Sequence, residues 1–228
     1  MSYLAWTYFA LFFIFTGVHL YASLQKRDSL RAPTKVVILL ALLGMYLEWS
    51  HAHGAAPSPY VVFALLTAWL GDVLLIPKGL RWFTAGGLCF GASHLLFIPA
   101  YIKSGIAFNA LSPLVVALIA ALYALIAALL FRKLKQCLPR RLYYPMFLYL
   151  LANGAMNVFA WLRVLSGSCP AGSGILTGLG ALLFFFSDCL LFFVRFDKRC
   201  PVKSHFGVML AYSAGEFLIV LGLMLFML

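Results

Sequence analysis

The sequence predicts an all-α, polytopic membrane protein, a bundle of about eight transmembrane helices forming one integral membrane domain over residues 1–228. Three observations carry this. Of the 228 residues, 64% are hydrophobic and only 10% are charged, too few polar side chains to clothe a water-soluble globule of this size, so a soluble enzyme is excluded. A helical crossing needs roughly 20 apolar residues, and the chain has room for about eight with short connections. The apolar runs, such as GALLFFFSDCLLFFV, do not alternate with polar residues as the strands of a membrane barrel would.

Proline, glycine and charge clusters bound the apolar runs and place the spans at 4–22, 34–49, 60–76, 82–102, 110–131, 143–165, 175–194 and 206–226. The first, within MSYLAWTYFALFF, has no basic region before it and no small-residue cleavage site, and reads as a retained helix. The second follows Pro33, a helix-start signal, and is the shortest. The third and seventh echo one another: WLGDVLL and FFSDCLL each carry a small residue, Asp, one variable residue and Leu-Leu, four spans apart. This hints at two parallel four-helix halves.

The net charge of +11 belongs to the connections and forms no stripe that would suit nucleic acid. Lys26, Arg27, Arg31, Lys35, Lys78, Arg81, Arg132, Lys133, Lys135, Arg140, Arg141, Arg195, Lys198, Arg199 and Lys203 flank the links after the odd-numbered spans, whereas Lys103 and Arg163 alone flank the others. The positive-inside rule then puts the odd links in the cytoplasm and both termini outside, and the short loops favour a bacterial cytoplasmic membrane. The five cysteines are scattered and expected to be free thiols.

Ionisable groups inside a bilayer cost several kcal/mol on insertion scales, so each needs a reason. Asp28, Asp197 and Glu48 lie near span ends; Asp72, Asp188 and Glu216 fall inside apolar runs. Asp72 stands four residues before Ile76 and Asp188 six before Val194. At 1.5 Å per residue both sit roughly 6–9 Å inside the same membrane face. Two carboxylates in one desolvated layer cannot both ionise freely, which leaves one acid and one base at neutral pH. The plainer alternative is a pair of structural groups, hydrogen-bonded to neighbouring helices or paired with Lys35 or Arg81. Gly71 and Ser187, just before the aspartates, permit close helix packing and favour a shared site.

His94 lies near mid-span, as does Glu216, expected to be protonated beside Tyr212. Asn153 and Asn157, one turn apart, mark a polar face turned inward. Lys35, at the mouth of the second span, can hold a lipid phosphate or snorkel. His51 and His53 with Glu48 lack a Cys or Asp to complete a metal set, and neither Gly-x-Ser-x-Gly nor His-Glu-x-x-His occurs.

The segments ALLTAWLGDVLLI, LCFGASHLLFIPAYI and LLFFFSDCLLFFVRF resemble the lysoplasmalogenase family of eight-span membrane proteins, with bacterial and animal members, over residues 33–221. The resemblance implies that Asp72 and Asp188 are the catalytic pair and that Lys35 and His94 match the family's lysine and histidine. Val36 stands where the family usually has Pro, and Glu216 where Gln is expected. The implied reaction is hydrolysis of the vinyl-ether bond of a lysoplasmalogen to a fatty aldehyde and glycerophosphoethanolamine or glycerophosphocholine. The supporting or substrate-binding set is Lys35, His94, Asn157, Ser187, Tyr212 and Glu216, with no metal or cofactor required. The expected partners are the lysophospholipid and membrane lipids, no nucleic acid; the oligomeric state is left open.

Rival readings remain. Intramembrane acids, Asn faces and a two-half architecture also suit a small proton-coupled transporter. A metal-dependent amidase acting on lipids and a non-catalytic protein whose aspartates only hold helices together are the others.

Overall fold

A computed structural model describes residues 3–200 and 205–228; Lys203, counted above among the basic residues, lies outside them. The helices are α1 (Tyr3–Leu24), α2 (Asp28–Ala52), α3 (Pro59–Leu74), α4 (Leu80–Lys103), α5 (Pro113–Leu134), α6 (Tyr143–Leu165), α7 (Ala171–Phe196) and α8 (His205–Leu225). Seven are long and apolar enough to cross a membrane, and α3, with 16 residues, is shorter. The protein is therefore a polytopic helical bundle.

Two boundaries differ from expectation. The second span is not the shortest: α2 has 25 residues and begins at Asp28, with Pro33 inside it. Proline near a helix start removes one backbone bond without ending the helix, and Asp28 suits the first turn electrostatically. The fifth helix begins at Pro113, after Ser112, because a short 3₁₀ turn occupies Phe108–Ala110. The shortness of α3 is partly made up by one more turn, in which Leu75 N–H donates to Gly71 O and Ile76 N–H to Val73 O.

Cross-helix contacts collect the basic connections at one end. Arg195 lies over the Phe83 ring and Lys133 over Phe193, while at the other end Trp49 Nε1 donates to Met224 O and Lys103 lies over Tyr60. Helix α3 runs antiparallel to α2 through the bundle: Ser58 N–H donates to Tyr46 Oη near one end and Trp69 Nε1 to Val36 O near the other.

The neighbours make a ring, α2–α3–α4–α6–α7–α8 and back to α2, with α1 and α5 outside it. Advancing every helix by four turns α2–α3 into α6–α7, α3–α4 into α7–α8, and α8–α2 into α4–α6. The packing thus follows the two-half pattern hinted at by the Asp-containing echo. The outer helices break it: α1 packs on both α2 and α8, whereas α5 packs on α6 and α7.

Glycine sets the closest approaches in both halves. In α3–α4, a Cβ on Gly71 or Gly86 would lie 3.1 Å from the other residue's carbonyl oxygen. In α7–α8, a Cβ on Gly180 would stand 2.6 Å from Ile219 N and 2.7 Å from Gly215 O, backbone atoms that cannot swing away. Gly180→Val is expected to lower stability by about 1–3 kcal/mol through forced helix separation. Thermal unfolding in detergent reads the loss, and an unchanged midpoint would contradict this packing. Around these contacts Leu42, Tyr46, Leu65, Phe97, Phe184 and Ile219 form the main core, and Leu134, Leu150 and Phe192 a smaller one near the basic end.

Candidate functional site

Asp72 sits in the last turn of α3, 1% exposed. A buried carboxylate is tolerated only when paired and hydrogen-bonded. Lys35 of α2 meets both needs from one side, with Nζ 3.0 Å from Oδ1. Tyr212 of α8 donates its hydroxyl to Oδ2 at 2.9 Å. The Trp69 bond to Val36 O, about one turn before Asp72 on α3 and next to Lys35 on α2, holds the register that brings Lys35 to Asp72.

Asp188 sits on α7 and is held differently. Its Oδ2 accepts the Tyr149 hydroxyl at 2.6 Å and Asn153 Nδ2 at 2.7 Å, both from α6. His94 of α4, fully buried, places Nε2 3.2 Å from the same oxygen and 3.0 Å from Tyr149 Oη. Asp188 Oδ1 takes no hydrogen bond from the described residues, and Asp188 lines a cavity. Tyr149, Asn153, Asn157 and Trp161 recur every four residues, so they stack along one face of α6. Asn157 Nδ2 donates to Asn153 Oδ1 at 3.1 Å, Tyr123 Oη donates to Asn157 Oδ1 at 3.3 Å, and Trp161 Nε1 donates to Tyr123 Oη at 3.1 Å. The chain orients the Asn153 amide with its N–H₂ toward Asp188.

The two environments are related by the four-helix offset. Each aspartate lies on the third helix of its half and is gripped by that half's second helix and the other half's fourth. For Asp72 these are Lys35 on α2 and Tyr212 on α8; for Asp188 they are Asn153 with Tyr149 on α6 and His94 on α4. The fold repeats while the chemistry diverges. One carboxylate has an ammonium partner and both oxygens engaged; the other has neutral or titratable donors on one oxygen and a free second oxygen.

Asp72 and Asp188 line one cavity of about 350 Å³, with Lys35 and Tyr212 beside them. Its lining also carries Arg31, Lys78 and Arg195 with Asp28 beside them, so the cavity has a basic rim. Arg81 lies outside this lining. The common depth inferred for the aspartates thus becomes a shared chamber, and the structural alternative that paired Asp72 with Lys35 is also realised.

The remaining expected residues divide. Ser187 lines the cavity, but its hydroxyl donates to Val208 O at 2.8 Å and so ties α7 to α8. Asn157 is one bond removed from the aspartate, and Asn153, read only as part of a polar face, is the residue that touches it. Glu216 is fully buried one turn beyond Tyr212 and neither oxygen has a hydrogen-bond partner among the described residues. It is not joined to either aspartate by a hydrogen bond. His53 stacks on Trp49 at 4.4 Å and its Nδ1 lies 2.8 Å from Trp49 O, far from this chamber. Sequence reading missed Tyr149, although its four-residue spacing from Asn153 was an available signal, and it missed the cavity-lining residues His19, Arg31 and His205.

In comparison with known proteins, the model of the YhhN family matches residues 30–223. No curated protein and no solved structure matches the chain.

Proposed function

The chain belongs to the YhhN family, the lysoplasmalogenase family of membrane proteins, and from that premise we propose that it hydrolyses the vinyl-ether bond of a lysoplasmalogen with Asp188 as acid and Asp72 as its partner carboxylate. The observation that carries this reading is the pair of unlike carboxylates lining one cavity. Asp188, with Oδ2 fully engaged and Oδ1 free, presents a proton on Oδ1 to the vinyl carbon remote from the ether oxygen. The double bond supplies the electrons for the new C–H bond, and the adjacent carbon and ether oxygen become an oxocarbenium ion. Asp72, paired with Lys35, stabilises that cation and takes a proton from the water that captures it. The resulting hemiacetal collapses to aldehyde as its hydroxyl proton leaves and the glycerol oxygen gains one, for a net addition of one water. His94 and Asn153 position Asp188 through Oδ2.

The substrate suits a site reached from the bilayer. Its phosphate would meet Arg31, Lys78 and Arg195 at the cavity mouth, which the positive-inside rule places on the cytoplasmic side. Either glycerophosphoethanolamine or glycerophosphocholine would then leave through that mouth.

The test is aldehyde release from a 1-alkenyl lysophospholipid by purified protein in detergent with a strong chelator present, against a saturated 1-alkyl lysophospholipid as control. Turnover of the alkenyl lipid alone is expected. Absence of aldehyde would overturn the reading and favour a carrier, and loss of turnover on chelation would favour a metal-dependent hydrolase.

A further inference from the structure

The broken symmetry of the outer helices leaves one seam of the ring open beside the aspartate cavity. Helix α1 covers the α2–α8 seam, but its counterpart α5 packs on α6 and α7, so the equivalent α4–α6 seam faces the bilayer. A groove of about 490 Å³ lies there, within the roughly 300–1,000 Å³ of ligand sites. Its floor is opened by Gly87 and Gly91 of α4, and its lips are the exposed Leu88 and Leu148.

The groove and the polar cavity share a wall. Phe83 lines both. Tyr149 lines the groove with its ring while its hydroxyl donates to Asp188. Phe192 completes the wall, edge-on to Tyr149 at 5.3 Å and to Phe83 at 6.3 Å. We propose that the α4–α6 groove holds the hydrocarbon chain of the single-chain lipid substrate, and that its reactive bond reaches Asp188 at the Phe83–Tyr149–Phe192 wall. This inference rests on the hydrolytic reading above for the identity of the lipid. The occupant follows from the two chemistries joined at that wall: an apolar trough open to the bilayer on one side, and a chamber with a basic rim matched to a phosphate on the other. A two-chain lipid would need a second trough, whereas the equivalent seam is covered by α1.

Glycine makes the proposal testable without damaging the fold. A Cβ on Gly87 meets nothing within 4 Å, and one on Gly91 finds only Tyr149 Cδ2 at 3.8 Å, ordinary contact. Leucine at both positions extends into the groove and favours the helix over glycine. The probe is a non-hydrolysable 1-O-alkyl lysophospholipid with a diazirine at the chain end, photolysed on purified protein in detergent, with labelled residues mapped by mass spectrometry.

In the wild type, label is expected on groove-lining residues of α4 and α6 and is displaced by excess unlabelled lysophospholipid. Gly87→Leu/Gly91→Leu is expected to reduce it at least tenfold at an unchanged size-exclusion profile. Label spread over the outer faces of α1 and α5 in the wild type, with no displacement, would overturn the proposal whether or not the variant folds. Aldehyde release separates the two readings. Groove labelling without aldehyde leaves the groove and removes the hydrolysis; full turnover by a well-folded, groove-filled variant with unchanged labelling removes the groove and leaves the hydrolysis.

Discussion

Asp188→Asn is expected to reduce aldehyde release by about 10²–10⁴-fold, the range for loss of a positioned general acid, while leaving the fold intact. The substitution is nearly isosteric. Its amide oxygen can take the place of Oδ2 and go on accepting from Tyr149 and Asn153, which keeps α6 and α7 joined. Its N–H₂ then faces the cavity where the transferable proton stood. Asp72→Asn is expected to lose about 10²–10³-fold, because the cation loses its carboxylate and Lys35 is left as an uncompensated charge beside it. Acting as one unit, the pair should be non-additive, with the double variant little worse than the poorer single one. Aldehyde release measured together with size-exclusion profiles checks all three. Retention of activity within tenfold by well-folded Asp188→Asn would exclude it as the acid, and collapse of both single variants on the column would favour the structural role weighed from the sequence.

Arg163→Met is expected to destabilise the protein by roughly 3 kcal/mol, the consequence of stripping charged donors from buried acceptors. The side chain is fully buried at the end opposite the basic connections. Its Nε donates to Ser104 O at 2.8 Å, Nη1 to Ser173 O at 3.0 Å and to Thr177 Oγ1 at 2.8 Å, and Nη2 to Ser173 Oγ at 2.7 Å. The guanidinium also lies 5.4 Å from the Phe226 ring centroid. One planar fork thus fastens the end of α4, the first turns of α7 and the end of the chain to α6. Lysine keeps the charge but not the directed set of donors, so Arg163→Lys should lose an intermediate amount. Unfolding midpoints in detergent order the three proteins, and Arg163→Met as stable as the wild type would refute this anchoring role. Because the residue is remote from the aspartates, catalytic turnover per folded molecule should be unaffected.

Arg163 also shows where reading along the chain reaches its limit. In the sequence it is one of two basic residues on the sparsely charged side of the membrane and serves only to count charge. Its buried bonds join residues 10, 14 and 59 positions away, and local pattern carries no information about such partners. Tyr149 differs in degree: its four-residue spacing from Asn153 is legible along the chain, but its bond to Asp188 exists only once α6 and α7 meet.

What the sequence determined by itself was whatever depends on solvent preference and on spacing along a helix. Long all-round apolar runs require a bilayer, basic links mark one end of the bundle, and two aspartates at matching depth are too costly there to be incidental. Tertiary structure alone decided the rest. It gave Asp72 an ammonium partner and Asp188 neutral or titratable donors, packed α1 over one seam and left the other open, and buried Glu216 with no hydrogen-bond partner among the described residues. Inside a membrane nearly every face is apolar, so hydrophobicity says that helices span but hardly which faces meet. That choice is made by glycine contacts and a few interhelical hydrogen bonds, and these exist only once the helices are assembled.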